Sequence, residues 1–196
     1  TAEAFPSAPL FMLGHSLGGL VVSLYLVKHQ QGLSGAVLSG ALVRTPGHPG
    51  RIQRGVISLL AGIYPRLGLV KLDAAGISRD SAVVRAYEQD PLVFHGRMAA
   101  GQLREMFAAM DRVVLEAGAI TLPLLILHGE LDPMTDAGGS RLLNERVSSA
   151  DKTFTVYPGL YHEIFNEPEK ASIYDDVLHW CEQRLPGGHN HVSSVA

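Results

Sequence analysis

The sequence predicts an α/β fold, a parallel sheet whose strand–helix alternation is broken by a helical insertion. Three observations predict it. Short apolar runs without charge recur at residues 9–13, 35–39, 121–127 and 153–157, the pattern of strands buried on both faces. Helical stretches separate them, so consecutive strands join by right-handed parallel crossovers. Between Arg51 and about Gly118 the strand pattern gives way to amphipathic repeats, over a length no plain loop would have.

Each element has its own signal. PLFML (9–13) reads as a strand stopped by Gly14, and 17–31 as a helix ended by Gly32. GAVLS (35–39) is a second strand, which leaves through the Gly/Pro-rich RTPGHPG of 44–50. In the insertion, Val56, Ile57, Leu59, Leu60 and Ile63 form a helical stripe that ends near Tyr64-Pro65. Asp80 or Ser81 caps a second helix that stops before Asp90-Pro91. Ala99, Leu103, Met106, Phe107, Met110 and Val114 repeat at helical spacing in a longer third one, so the insertion reads as all-helical. TLPLLIL (121–127) restores the strand pattern, 141–147 is helical, and TFTVY (153–157) is a fourth strand. Pro168 suits the first turn of a last helix with Ile173, Val177 and Cys181 facing inward. Residues 186–196 are expected to be disordered.

Composition narrows the class of protein. With 196 residues, 46% hydrophobic and 18% charged, the chain is neither disordered, collagen-like nor a coiled coil. Its 16 Lys+Arg against 19 Asp+Glu give a net charge of -3, which offers nucleic acid no electrostatic footing. The single Cys181 excludes an internal disulfide and favours a reducing compartment, the cytoplasm. Lys28 is the only charge between Ala4 and Val43, yet Pro6, Pro9, Gly14 and Gly18 interrupt that stretch, so it is no membrane span. The chain opens on Thr1 just before a buried-looking strand, so further sequence is expected ahead of it and a targeting segment stays undecided.

The chemistry gathers at strand ends. Gly14-His15-Ser16-Leu17-Gly18 satisfies G-x-S-x-G between a strand and a helix, where a serine sits in a strained turn with its oxygen exposed. Glycines at the flanking positions let strand and helix approach, and the Leu17 amide, first in the helix, faces a developing oxyanion. The plain alternative is that Ser16 only caps the helix. A serine needs a base and a group to orient that base. The loop after the third strand supplies Asp132, with Glu130 as a rival, and the loop after the fourth supplies His162. Their order is Ser, Asp, His, at the carboxyl ends of the strands where open parallel sheets bind ligands. Asp132 before Pro133 also suits an ordinary Asx turn. His128 reads as a structural loop residue, and His15 as packing beneath the nucleophile. No cofactor or metal is expected: 14–19 lacks the lysine of a phosphate loop, and His48, His95, His189 and His191 show no ligand spacing.

GHSLGG (14–19), HGELDPM (128–134) and YPGLYHEIFNEPE (157–169) resemble the elbow, acid loop and histidine loop of monoacylglycerol lipases of the α/β-hydrolase superfamily. ISRDSAVVRAYEQDPLVFHG (77–96) is similar to the cap stretch of bacterial members. The resemblance implies an α/β-hydrolase fold with 1–43 as the elbow unit, 44–118 as a helical cap, 119–185 as the carboxyl-terminal core with the acid and histidine loops, and 186–196 as a tail. It implies hydrolysis of a monoacylglycerol or similar lipid ester, with Ser16 as nucleophile, His162 as base and then acid, and Asp132 orienting it. The cap's Val, Ile, Leu, Met and Phe suit an acyl chain and transient contact with a membrane surface, or equally a plain covering of the core. Members place four strands and a second oxyanion loop ahead of the elbow. Nothing upstream of Gly14 resembles these, so the amino-terminal strands are expected to be missing. Lysophospholipase, carboxylesterase and peptidase activities share the triad. A non-catalytic fragment or binding remnant is the reading from another class.

Overall fold

A computed structural model describes residues 8–185; the expected tail, 186–196, lies outside the described residues. Four strands, β1 (Phe11–His15), β2 (Gly35–Ser39), β5 (Leu124–Gly129) and β6 (Lys152–Tyr157), form one parallel sheet in the order β1-β2-β5-β6. The register pairs Leu13 with Val37, Val37 with Leu125, and Leu125 with Thr153. Helix α1 (Leu17–Leu26) joins β1 to β2, α5 (Ala137–Arg146) joins β5 to β6, and α6 (Lys170–Glu182) follows β6.

The central strands explain their own composition. On β2 and β5, Ala36, Leu38, Leu124 and Ile126 point into a core shared with Leu20, Leu26 and Leu143, while Val37, Leu125 and Leu127 point into a second core with Ile164, Ile173 and Trp180. Alternate side chains point to opposite faces and both faces are covered, so no position can be polar without a partner.

The excursion between β2 and β5 holds α2 (Arg51–Ile63), β3 (Gly68–Val70), α3 (Ser81–Gln89), β4 (Met98–Ala99) and α4 (Ala100–Glu116). It is not all-helical, because β3 and β4 pair antiparallel. Strands this short carry no readable alternation, and they are held by a partner nearly thirty residues away. Along α4, Leu103, Phe107, Met110 and Val113 enter the same core as α1 and β2. Helix α2 behaves oppositely: only Ala61 is buried, while Ile52, Val56, Leu59 and Ile63, one stripe at i, i+4, i+7 and i+11, face outward.

Three helix boundaries differ from expectation. Helix α1 ends at Leu26 rather than Gln31, with Gly32 at φ 78 in the turn beyond. Helix α5 starts at Ala137, four residues early, because the Asp136 side chain accepts the Gly138 N–H as its cap. Helix α6 begins at Lys170 and leaves Pro168 just outside. No helix among the described residues is long and apolar enough to cross a membrane.

Candidate active site

Ser16 occupies the turn between β1 and α1 at φ 54 and ψ -122, the one positive φ outside glycine among the described residues. Such a backbone costs about 1–3 kcal/mol and persists only where its surroundings impose it. Here Ser16 N–H donates to Ser39 O at 2.9 Å, and Ser16 O accepts from Leu20 and Leu42. Although Ser16 stands at the N-cap position, its hydroxyl makes no cap hydrogen bond, so the plain capping role does not consume it. Gly14 is needed for the close approach: a Cβ there would lie 2.6 Å from Gly18 O and 2.7 Å from Val22 Cγ2. At Gly18 a Cβ would meet nothing, so the expectation of a steric need at both flanks holds only for Gly14. Leu17 begins α1, where first-turn N–H groups have no intrahelical acceptor and the dipole favours negative charge.

Asp132 and His162 meet as the strand-end argument expects. His162 Nδ1 lies 2.7 Å from Asp132 Oδ2, with both side chains almost wholly buried. An ionised carboxylate can only accept, so His162 donates through Nδ1 and Nε2 is the nitrogen left for other work. Burial alone would raise the Asp132 pKa; hydrogen bonds from His128, His162 and the Thr135 backbone outweigh it and hold the carboxyl well below the ordinary range. Asp132 Oδ1 also accepts the N–H groups of Met134 and Thr135, so the Asx turn and the pairing with His162 are both real. Glu130, the rival carboxylate, accepts from Gly159 N–H instead and ties the two loops together. No hydrogen bond joins Ser16 Oγ to His162 among the described residues. His15, next to Ser16 in the chain, has its ring centroid 4.6 Å from that of His162. Catalytic hydrogen bonds are commonly long before substrate is present.

Several participants are invisible in the sequence. His128 sits at the end of β5 rather than in the loop, fully buried, with Nε2 at 3.3 Å from Asp132 Oδ2 and 3.2 Å from Thr135 O. Those two acceptors require the proton on Nε2, and Nδ1 accepts from the Ser140 hydroxyl at 2.7 Å. Thr135 Oγ1 lies 2.7 Å from Asp132 Oδ2 and 3.0 Å from Gly40 O. Gly40 has φ 50, and a Cβ there would lie 3.2 Å from His162 Nδ1, so the ring packs directly on its backbone. The Ser-Gly closing β2 is the only hint of this in the sequence. His15 is held at Nδ1, 3.1 Å from Ser39 Oγ, while its Nε2 approaches Glu163 Oε1 at 3.2 Å without hydrogen-bond geometry. The His15 ring, against the opposing effect of burial, keeps Glu163 below its ordinary pKa. Among the described residues no three His, Cys, Asp or Glu side chains are grouped to hold a metal ion.

A cavity of about 430 Å³ opens beside the acid loop. Ile57, Leu72, Met98, Leu103 and Phe107 from the excursion line it, and Met134, two residues from Asp132, completes the apolar wall.

Comparison with known proteins identifies the family and the fold. The family model described as serine aminopeptidase, S33 (Hydrolase_4) matches residues 1–169. The chain is 40% identical over 184 residues to a monoacylglycerol lipase of Mycolicibacterium smegmatis, covering 94% of this chain and 66% of that protein. It is 31% identical over 184 residues to a monoglyceride lipase of Rattus norvegicus, covering 92% and 61%. It therefore spans a little under two thirds of the length of these curated relatives. Among solved structures, monoacylglycerol lipase of Paleococcus ferrophilus matches with a TM-score of 0.80 and 33% identity, over 91% of this chain and 69% of that one. A soluble variant of monoglyceride lipase from Saccharomyces cerevisiae, in complex with a substrate analog, matches with a TM-score of 0.81 and 27% identity, over 94% and 65%.

Proposed function

The chain belongs to the serine aminopeptidase S33 (Hydrolase_4) family of α/β-hydrolases, with monoacylglycerol lipases among its relatives, and from that premise we propose that it is a serine ester hydrolase that cleaves monoacylglycerol to fatty acid and glycerol. The observation that supports this reading is a serine at a strained strand–helix turn whose hydroxyl makes no cap bond, together with a histidine whose Nδ1 is committed to a buried carboxylate. In the proposed reaction Ser16 Oγ attacks the ester carbonyl as His162 Nε2 takes its proton. Asp132 fixes the tautomer and stabilises the imidazolium. The Leu17 N–H donates to the oxyanion, and His162 returns the proton to the departing glycerol oxygen. Water then enters by the same base and releases the fatty acid from the acyl-enzyme.

The substrate class rests on apolar surface. The cavity beside Met134 offers a fatty chain a dry wall, and each methylene buried contributes about 0.8 kcal/mol. The outward stripe of α2, flanked by Arg51 and carrying no acid, is the pattern of a helix that lies in a lipid interface. On this reading 44–118 acts as the cap, 1–43 and 119–185 as the catalytic core, and the enzyme docks transiently on membranes from the cytoplasmic side, where the lone Cys181 stays reduced.

The test uses the full-length protein. A fluorophosphonate probe is expected to label Ser16, and monoacylglycerol to release fatty acid. No label at Ser16 together with no release overturns the proposal. The family description names an aminopeptidase, which favours an amide substrate as the second reading. Rates on an aminoacyl arylamide, a lysophospholipid and a monoacylglycerol of matched chain length separate the three.

A further inference from the structure

Residues 76–80, in the middle of the excursion, touch both loops of the candidate site. Gly76 lies so close to the acid loop that a Cβ on it would stand 2.6 Å from Pro133 Cγ, on the residue next to Asp132. Ile77 O accepts the N–H of Glu163, the residue next to His162, at 2.7 Å. Ile77 and Ser78 are both buried, so the segment is packed rather than draped over the surface. The fastening is at Arg79. Its backbone N–H donates to Glu167 Oε1 at 2.9 Å and its Nε to Glu167 Oε2 at 2.7 Å, while Nη2 pairs with Glu169 Oε2.

Glu167 has no solvent-exposed side-chain surface at all. A buried carboxylate costs several kcal/mol unless every lone pair it turns inward is met, and such pairs add little net stability over apolar packing. What this grip does supply is direction: the Arg79 main-chain N–H and the Nε of its planar guanidinium each hold one oxygen of the same carboxylate. Direction is what the neighbouring residues need. The Asp132–His162 contact is made by two loops thirty residues apart in sequence, and a misplacement of about 1 Å in such a constellation costs about 100-fold in rate.

We propose that Arg79 and Glu167 are positioning residues: their pair locks residues 76–80 onto the histidine loop, so that one strap from the excursion sets the spacing of Asp132 and His162 for ester hydrolysis. The proposal rests on the ester-hydrolase reading for its rate effects, and on geometry alone for its effect on the His162 proton. Arg79 touches neither substrate nor the reacting atoms; it acts through Ile77–Glu163 and through Glu167.

The experiment compares the unaltered full-length protein with Arg79→Ala, Arg79→Lys, Glu167→Gln and the control Glu169→Gln. Each is measured at a temperature where circular dichroism shows it folded. On a soluble short-chain ester, Arg79→Ala and Glu167→Gln are expected to lower kcat by about 10- to 100-fold with KM changed little. Arg79→Lys, which keeps the charge and the backbone bond but loses the planar guanidinium that reaches Glu167 and Glu169 together, falls between. Glu169→Gln, half exposed, changes kcat by no more than about 2-fold. The His162 Nδ1–H proton bonded to Asp132 gives a downfield resonance by NMR. That signal is expected to shift or broaden in Arg79→Ala and Glu167→Gln and to stay in place in Glu169→Gln. Folded Arg79→Ala and Glu167→Gln variants with the resonance of the unaltered protein would reduce the pair to a fastener of the fold and overturn the proposal. The resonance reads the strap whether or not the protein hydrolyses esters, whereas absence of probe labelling at Ser16 in the unaltered protein marks failure of the functional reading.

Discussion

Helix α2 and strand β5 are both rich in aliphatic residues, yet the protein treats them in opposite ways. Every residue of β5 is buried, and its two faces serve two cores. In α2 one alanine is buried, and Ile52 and Leu59 are 85% and 64% exposed. A β-strand in the middle of a parallel sheet has covered faces by construction, so its apolar run needs no interpreter. A helix has one inner face, and nothing in its periodicity says whether the apolar stripe is that face. The core is therefore read correctly from pattern alone, whereas in the excursion pattern finds the helices but not their orientation.

The largest effects are expected at the strand ends. Asp132→Asn keeps the shape but turns His162 to the wrong tautomer, so kcat is expected to fall about 10⁴-fold on any ester, with the melting temperature shifted far less. Retention of most activity would remove Asp132 from the proposed triad. Gly40→Ala comes next. Its Cβ meets the His162 ring at 3.2 Å and its backbone sits at φ 50, so ester turnover is expected to drop about 100-fold in a folded protein. Unchanged turnover would show that the ring can give way.

The outer face of α2 supplies the contrasting case. Ile52→Ser with Leu59→Ser is expected to change stability by less than about 0.5 kcal/mol per site, since both side chains face solvent. Turnover of a soluble ester should be unaltered. Binding to phospholipid vesicles should weaken by about tenfold or more, the equivalent of 1.4 kcal/mol of lost burial. A large loss of stability instead would place the stripe against a protein surface.

The smallest effect is on stability towards acid. Asp132 and Glu163 both titrate below their ordinary values in the fold, so near pH 4 the unfolded chain binds more protons than the native one. Their contribution is complete above that range and is lost as pH falls through the native values. Urea midpoints measured from pH 7 to pH 3 should decline, and less steeply in Asp132→Asn. An equal slope in the variant would mean that the Asp132 carboxylate is not coupled to folding.

How much was legible follows from distance along the chain. Ser16, Asp132 and His162 could be singled out as candidates because each stands just past a strand that announces itself. The β3–β4 pair and the contact of His128 with Asp132 could not, because they depend on which buried neighbour faces which. The Arg79–Glu167 pair joins residues 88 apart, and no local pattern marks either partner. The stop of α1 at Leu26 was hidden too, as residues 27–31 carry ordinary helix formers and leave the helix only to reach β2.

Helix α4 belongs to the excursion by sequence, but Leu103, Phe107, Met110 and Val113 seal the main core. Withdrawing four such side chains together would cost roughly 6–12 kcal/mol, as much as a whole domain commonly has to spend. The rest of the cavity wall, Ile57 of α2, Val70 of β3 and Met98 of β4, is thus mounted on α4 as on a door frame. Ile57 of α2, on the helix whose outward stripe is proposed to dock on lipid, stands in the wall of that cavity, so on that reading a surface-seated enzyme would take its next molecule from beneath rather than from the surrounding water.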